Sequence, residues 1–168
     1  VELNQMSHRV QVLNEDANLL LSKYARPRRR FDYVDIDPFG APVGYVDSAL
    51  RALRDEGLIA LTATDMAPLC GVYPQVSLRK YGGRSLRTEY CHEIGVRLLA
   101  GYLASTAARQ NISARPIFSH SADHYVRLYA LCDYGAEKAD ETIGNMGYLL
   151  HCFNCLHRES YEESMPSF

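Results

Sequence analysis

Short apolar runs, alternating or unbroken, recur along this chain and are separated by stretches with helical spacing. The runs predict strands at Arg9 to Leu13 (RVQVL), Phe31 to Asp37 (FDYVDID), Leu58 to Thr64 (LIALTAT), Arg115 to His120 and His124 to Leu131. Three- and four-residue spacing predicts a brief helix through Leu19, Leu20, Leu21 and Tyr24. It predicts a second over Val46 to Glu56, where Val46, Ala49, Leu50 and Leu53 recur and Gly57 is placed to end the helix. A third runs over Thr88 to Gln110, with Thr88 as N-cap, Glu89 in the first turn and Ile94, Leu98, Tyr102 and Leu103 in the apolar stripe. Between the last two, Met66 to Arg87 carries Pro68, Gly71, Pro74, Gly82 and Gly83 and reads as a long irregular segment. After Gly135 the chain is polar to about Asn145, turns apolar again through Gly147 to Cys155, and ends acidic and without a structural signal.

Strand, helix, strand with short connections over 31–64 is the βαβ signature of a parallel sheet. The two late strands, joined by Ser121-Ala122-Asp123, predict a hairpin that sets an antiparallel strand at the sheet's edge. The fold class is therefore α/β, a mostly parallel sheet with a terminal antiparallel hairpin.

The chemistry concentrates where FDYVDID stops. Pro38 has no N–H to donate and ends the strand, and Gly40 admits a backbone conformation that a Cβ resists. Asp37 and Phe39 are thus presented at the carboxyl end of a strand, where open α/β sheets bind ligands. One reading is a simple strand-to-helix turn, since Asp-Pro and Gly are common punctuation. The other is a site for an exocyclic amino group. Such a nitrogen is a weak nucleophile because its lone pair is delocalised into the ring. A carboxylate that accepts its N–H localises that pair and neutralises the developing charge, and a stacked aromatic ring fixes the base.

Composition narrows the field little. The chain has 168 residues with a formal net charge of −2, so nothing global announces nucleic-acid binding, but Arg26–Arg30 and Arg79, Lys80, Arg84 and Arg87 form local basic groups. No apolar run is long enough for a transmembrane helix, and the N-terminus has no signal-peptide core. Five cysteines, an odd number with a single close pair, argue against a secreted disulfide scaffold and for an intracellular, cytoplasmic setting. The missing initiator Met fits a fragment or a processed product.

FDYVDIDPFG, TATDMAPLCG, RKYGGRSLRTEYCHEIG and SADHYVRLY, in that order, resemble the tRNA (guanine-N2-)-dimethyltransferase family, from about Val10 to Cys155. The resemblance implies a Rossmann-like class I methyltransferase domain over 1–145 and the start of a small C-terminal domain over 146–168. It implies S-adenosyl-L-methionine as cofactor and tRNA as partner, with guanine 26 converted to N2-methyl- and then N2,N2-dimethylguanine. It makes Asp37, Pro38 and Phe39 the catalytic turn, with Asp37 as proton acceptor and Phe39 as stacking ring. Asp16 and Ala17, in the Asp16-Ala17-Asn18 block, become contacts to the cofactor's adenine. The CHE and HYVR blocks look structural.

One feature departs from the pattern. The fold needs a glycine-rich turn after its first strand, and no glycine precedes Gly40. The chain is therefore expected to be a portion of the methyltransferase domain that binds cofactor poorly alone and needs the N-terminal portion of the same enzyme as partner. A non-catalytic RNA-binding or regulatory protein on a truncated methyltransferase fold is the alternative from another class. Protein-glutamine or DNA amino methyltransferases share a related turn, but their second Pro is Phe39 here.

Arg79, Lys80, Arg84 and Arg87, in the long segment near the strand ends, are the candidates for tRNA phosphate contact; both basic groups also read as solvated loops. Cys152 and Cys155 have metal-knuckle spacing, flanked by His151 and His157. They are either half of a zinc site, whose second pair the resemblance places further on in some family members, or two ordinary cysteines. Asp65 reads as a cap or turn residue, His92 and His124 as packed or hydrogen-bonded, and Cys70 and Cys91 as non-nucleophilic.

Overall fold

Ile59, Leu61 and Ala63 are completely buried on one side of their strand while Ala60 and Thr62 are buried on the other, so this strand must lie inside a sheet. A computed structural model, which describes residues 1–161, places it there. It is β2 (Leu53–Ala63), flanked on one side by β1 (Phe31–Ile36) and on the other by β4 (Tyr125–Tyr134), with β3 (Ile112–Ala122) outermost, in the order β1-β2-β4-β3. β1 and β2 are parallel, with Val34 opposite Ile59 and Ile36 opposite Leu61. β4 runs antiparallel to both β2 and β3. The expected hairpin forms, but the antiparallel strand is one in from the rim and the edge strand is β3. The alternation of Val126, Leu128, Ala130 and Cys132 gives β4 a fully buried face, which only an interior strand can use. β3, broken by a register shift next to Pro116, suits an edge.

Helices α2 (Val46–Ala52) and α5 (Cys91–Ala108) cover one face of this sheet. Val46, Ala49 and Leu50 from α2 and Leu99, Leu103 and Ala107 from α5 pack with Val34, Ile36, Ile59, Leu61, Val126 and Leu128 in one core. The Tyr102 hydroxyl donates to the Val43 carbonyl at 2.8 Å, fixing α5 to the 3-10 turn Pro42–Gly44. The opposite face is half-exposed, with Tyr33 at 44% and Phe118 at 59%.

Several expected elements differ. RVQVL forms no strand; Val12 is 76% exposed, because no neighbour pairs with the run and an isolated strand buries nothing. The helix begun at Val46 ends at Ala52, since Leu53 is drawn into the core as the first residue of β2, opposite Phe31. Gly57 is consequently inside β2, next to a bulge in which Glu56 takes φ +58°. Met66 to Arg87 is not irregular: it holds α3 (Met66–Leu69) and α4 (Pro74–Tyr81). Pro74 starts α4 and Gly82, at φ +74°, stops it, so these residues mark helix ends. Thr88 does not cap α5; its hydroxyl is buried without a partner among the described residues, and Glu93 is the first-turn acid. The polar stretch after Gly135 is helix α6 (Ala136–Gly144). β5 (Tyr148–His151) and β6 (Arg158–Tyr161) form a separate two-stranded sheet. The acidic tail read as structureless falls mostly in 162–168, outside the described residues.

Gly71, just after α3, has φ +84°, and a Cβ there would lie 2.3 Å from the Arg87 backbone nitrogen. Gly82 has a similar φ with open space around it. Gly71→Ala is therefore expected to cost roughly 2 kcal/mol or more and Gly82→Ala about 1 kcal/mol, read as shifts in urea-unfolding midpoints. Equal losses would remove the packing argument.

Candidate active site

Asp37 is the first residue past β1, and its carboxylate is exposed and makes no hydrogen bond or ion pair among the described residues. Beside it the Phe39 ring is fully solvent-exposed at 106%. The backbone beneath them is held. The Gly40 N–H donates to Thr64 Oγ1 at 2.7 Å, and the Thr64 N–H donates to the Gly40 carbonyl at 2.9 Å. Thr64 follows the end of β2, so the Asp37–Gly40 turn is pinned to the adjacent strand. Gly40 sits at φ +89° with no atom within 4 Å of where a Cβ would be, so it is the backbone angle that calls for glycine. A fixed turn thus displays a free anionic acceptor and an open aromatic face side by side.

Below the turn lies an assembly that sequence reasoning missed. Asp35 accepts from the Tyr33 hydroxyl at 2.8 Å and from the Arg127 guanidinium at 2.5 Å. Arg127 also donates to Thr62 Oγ1 at 2.5 Å and to the Tyr129 hydroxyl at 2.7 Å. Burial acts to lower the Arg127 pKa, but its bonds to Tyr129 and Asp35 outweigh that, and the group is held above its usual range. Burial first, then Asp35, raises Tyr33. The signal was available: Tyr33, Asp35 and Asp37 share strand parity, as do Arg127 and Tyr129. Arg127 of the HYVR block thus joins β1, β2 and β4 across one face.

Asp16 and Ala17 reach the same edge. Asp16 caps α1 (Ala17–Tyr24), its Oδ1 accepting from the Leu19 N–H at 2.9 Å, and both residues are exposed. Asn18 accepts from the Ser48 hydroxyl at 2.5 Å. Because Ser48 lies in the first turn of α2, this bond brings the start of α1 to the carboxyl ends of β1 and β2.

The second basic group divides. Arg79, Arg84 and Arg87 are exposed and unpaired among the described residues. Lys80 is bound to Asp65 at 2.9 Å, and the Tyr81 hydroxyl donates to the same carboxylate at 2.6 Å. Asp65 therefore does not cap α3; it ties α4 to the end of β2, which sets the basic segment at the Asp37 edge. Tyr81 is raised by burial and then by Asp65. Arg26–Arg30 precede β1 and so lie at the opposite edge, with Arg30 stacked 4.9 Å from the Tyr134 ring centre.

Cys152 and Cys155 occupy the turn between β5 and β6. Backbone N–H groups of Cys155 and Asn154 point at the Cys152 sulfur and lower its pKa. The flanking histidines do not join them: His151 Nδ1 pairs with the Tyr90 hydroxyl at 2.8 Å, and His157 lies by Glu159. His92 and His124 are exposed, yet each has a neighbour: His92 Nδ1 lies 3.8 Å from Cys91 Sγ, and the His124 ring meets the Tyr125 ring edge-on with centroids 5.5 Å apart. Burial, then Cys91, pushes the Cys70 thiol up to about 12, against a nucleophilic role.

A mixed sheet with one inserted antiparallel strand, and an acidic-Pro-aromatic turn at the carboxyl end of a parallel strand, define a Rossmann-like class I methyltransferase fold. Trm1 from Pyrococcus horikoshii, solved in complex with S-adenosyl-L-methionine, matches with a TM-score of 0.87 and 38% identity over 94% of this chain and 42% of that one. The family model N2,N2-dimethylguanosine tRNA methyltransferase matches residues 1–167, and the chain belongs to that family. A tRNA (guanine(26)-N(2))-dimethyltransferase from Methanothermobacter thermautotrophicus is 50% identical over 156 residues, covering 93% of this chain and 40% of the relative. A tRNA (guanine(26)-N(2)/guanine(27)-N(2))-dimethyltransferase from Aquifex aeolicus is 45% identical over 129 residues, covering 77% and 33%. The chain spans 40% of the length of several curated relatives it matches. Among the described residues, no helix is long and apolar enough to cross a membrane.

Thr64→Val removes the hydroxyl that holds Gly40. We expect faster hydrogen exchange at the Gly40 amide and a stability loss of about 1 kcal/mol, with β2 protection unchanged. Unaltered exchange at Gly40 would show that the turn is held by other means.

Proposed function

We propose that this chain is the substrate-facing portion of a tRNA guanine N2-methyltransferase that acts at guanine 26 and adds first one and then a second methyl group. The observation that carries the reading is the free Asp37 carboxylate beside the exposed Phe39 ring on a pinned turn. Phe39 stacks on the extruded base and sets its plane. Asp37 accepts the hydrogen bond of the exocyclic N2–H, draws the nitrogen lone pair out of the ring and takes the proton as the new N–C bond forms. S-adenosyl-L-methionine supplies the electrophilic methyl sulfonium when bound. Asp16 and Ala17 fit one side of it: Asp16 gives one oxygen to Leu19 and is exposed, leaving the other for a ligand hydroxyl or amine.

The remaining cofactor contacts are assigned to the rest of the enzyme. Two facts support this: no glycine precedes Gly40, and the relatives are much longer. The half-exposed sheet face with Tyr33 and Phe118 gives that portion a surface to cover, since doubly wound sheets are covered on both sides. Arg79, Arg84 and Arg87 meet tRNA phosphates, and Lys80 positions α4. Residues 146–168 begin a second domain, in which Cys152 and Cys155 supply half of a zinc site; the N–H groups aimed at Cys152 suit a thiolate ligand. The cysteines are free thiols, in keeping with a reducing, cytoplasmic setting.

Asp37→Ala in the full-length enzyme should lower single-turnover methylation about a hundredfold or more while changing S-adenosylmethionine affinity by less than about threefold. Near-normal turnover would sink the assignment. Arg84→Ala and Arg87→Ala should each reduce the salt slope of tRNA binding by about one, whereas Lys80→Ala should act mainly on stability. A slope change confined to Lys80 would reverse the roles.

A further inference from the structure

The described residues bring one set of three soft or borderline donors together, and the reading above does not use it. Cys70 Sγ, Cys91 Sγ and a ring nitrogen of His92 all lie within 4.8 Å of one another, and Cys91 Sγ is 3.8 Å from His92 Nδ1. We propose that Cys70, Cys91 and His92 form a binding site for a thiophilic divalent cation of the zinc type. This rests on no part of the functional reading.

Tetrahedral zinc with thiolate and imidazole ligands sets neighbouring donors roughly 3.4–3.8 Å apart, so no pair in the group needs to close by more than about 1.4 Å. Two sulfurs and a nitrogen, with no carboxylate, select Zn²⁺, Co²⁺ or Cd²⁺ over Mg²⁺ or Ca²⁺. The two thiols are half-buried and the imidazole exposed, leaving a fourth position open to water.

The placement of the donors is fixed by the surrounding backbone. Cys70 ends α3, its N–H donating to the Met66 carbonyl at 2.7 Å. The chain around it is closely held: the Ser85 hydroxyl donates to the buried Pro68 carbonyl at 2.6 Å, and a Cβ on Gly95 would lie 3.3 Å from the Leu69 side chain. Cys91 and His92 open α5. A cation here would cross-link the turn after α3 to the start of α5, closing the segment that carries Arg79, Arg84 and Arg87 into a loop with a fixed base.

The test must exclude the second cysteine pair, so Cys152→Ser/Cys155→Ser is the parent variant. Fully reduced and titrated with Co²⁺, it should develop a saturable thiolate-to-cobalt charge-transfer band, and Zn²⁺ should bleach it. His92→Ala, an exposed position that leaves the core intact, should weaken cobalt binding at least about tenfold. Adding Cys70→Ser or Cys91→Ser should abolish the band, with circular dichroism confirming the fold. No band in the reduced parent, or a band indifferent to both His92→Ala and Cys70→Ser, overturns the proposal. So does a band seen only when Cys152 and Cys155 are intact.

Discussion

The parallel pairing of β1 with β2 is the constraint on which the candidate site depends. It sets Ile36, the last residue of β1, opposite Leu61, two residues short of the end of β2, and only then can Gly40 and Thr64 exchange two backbone-anchored hydrogen bonds. Those bonds make the Asp37–Gly40 turn an extension of the sheet. The carboxylate and the ring can therefore be exposed without being loose. Solvent exposure is normally a sign of mobility, but here the exposed groups are the tips of a rigid base.

The same pairing brings Asp35 within reach of Arg127, which belongs to the antiparallel β4 on the far side of β2. An arginine with three oxygen partners spanning three strands is more than a surface ion pair. Its guanidinium is mostly buried, and removing Asp35 would strand it. Charge on this face holds the strands in register near the site, while on the other face the work is done by aliphatic packing from α2 and α5.

The sequence made β1, β2, the hairpin and the acidic-Pro-aromatic turn readable because each carries a local signal: parity, an apolar run, a proline, a glycine. What it hid depends on competition between signals. Leu53 fits a helical stripe as well as a strand, and the core decides for the strand. Pro74 and Gly82 punctuate a loop or a helix equally well until Ser77 and Tyr81 are seen to be buried. RVQVL has ideal alternation and forms nothing, because a strand is a property of two segments. At the candidate site, the display of Asp37 and Phe39 just past β1 was legible from the strand-ending Asp-Pro-Phe turn. Lys80 was not, since its partner Asp65 is 15 residues away, and Cys70 meets Cys91 and His92 only through the docking of α3 on α5.

The two rims of the sheet are not alike. β3 is interrupted by Pro116 and a register shift, which blunts it against further pairing, while β1 presents an unbroken outer backbone from Phe31 to Ile36. The β1 rim is therefore the better suited of the two to further pairing. A strand that joined at β1 would leave Asp37 no longer at a border but inside a wider sheet, and a reversal of strand order there would make the kind of crevice in which ligands settle. In that arrangement the carboxylate would stand open from both flanks of the crevice.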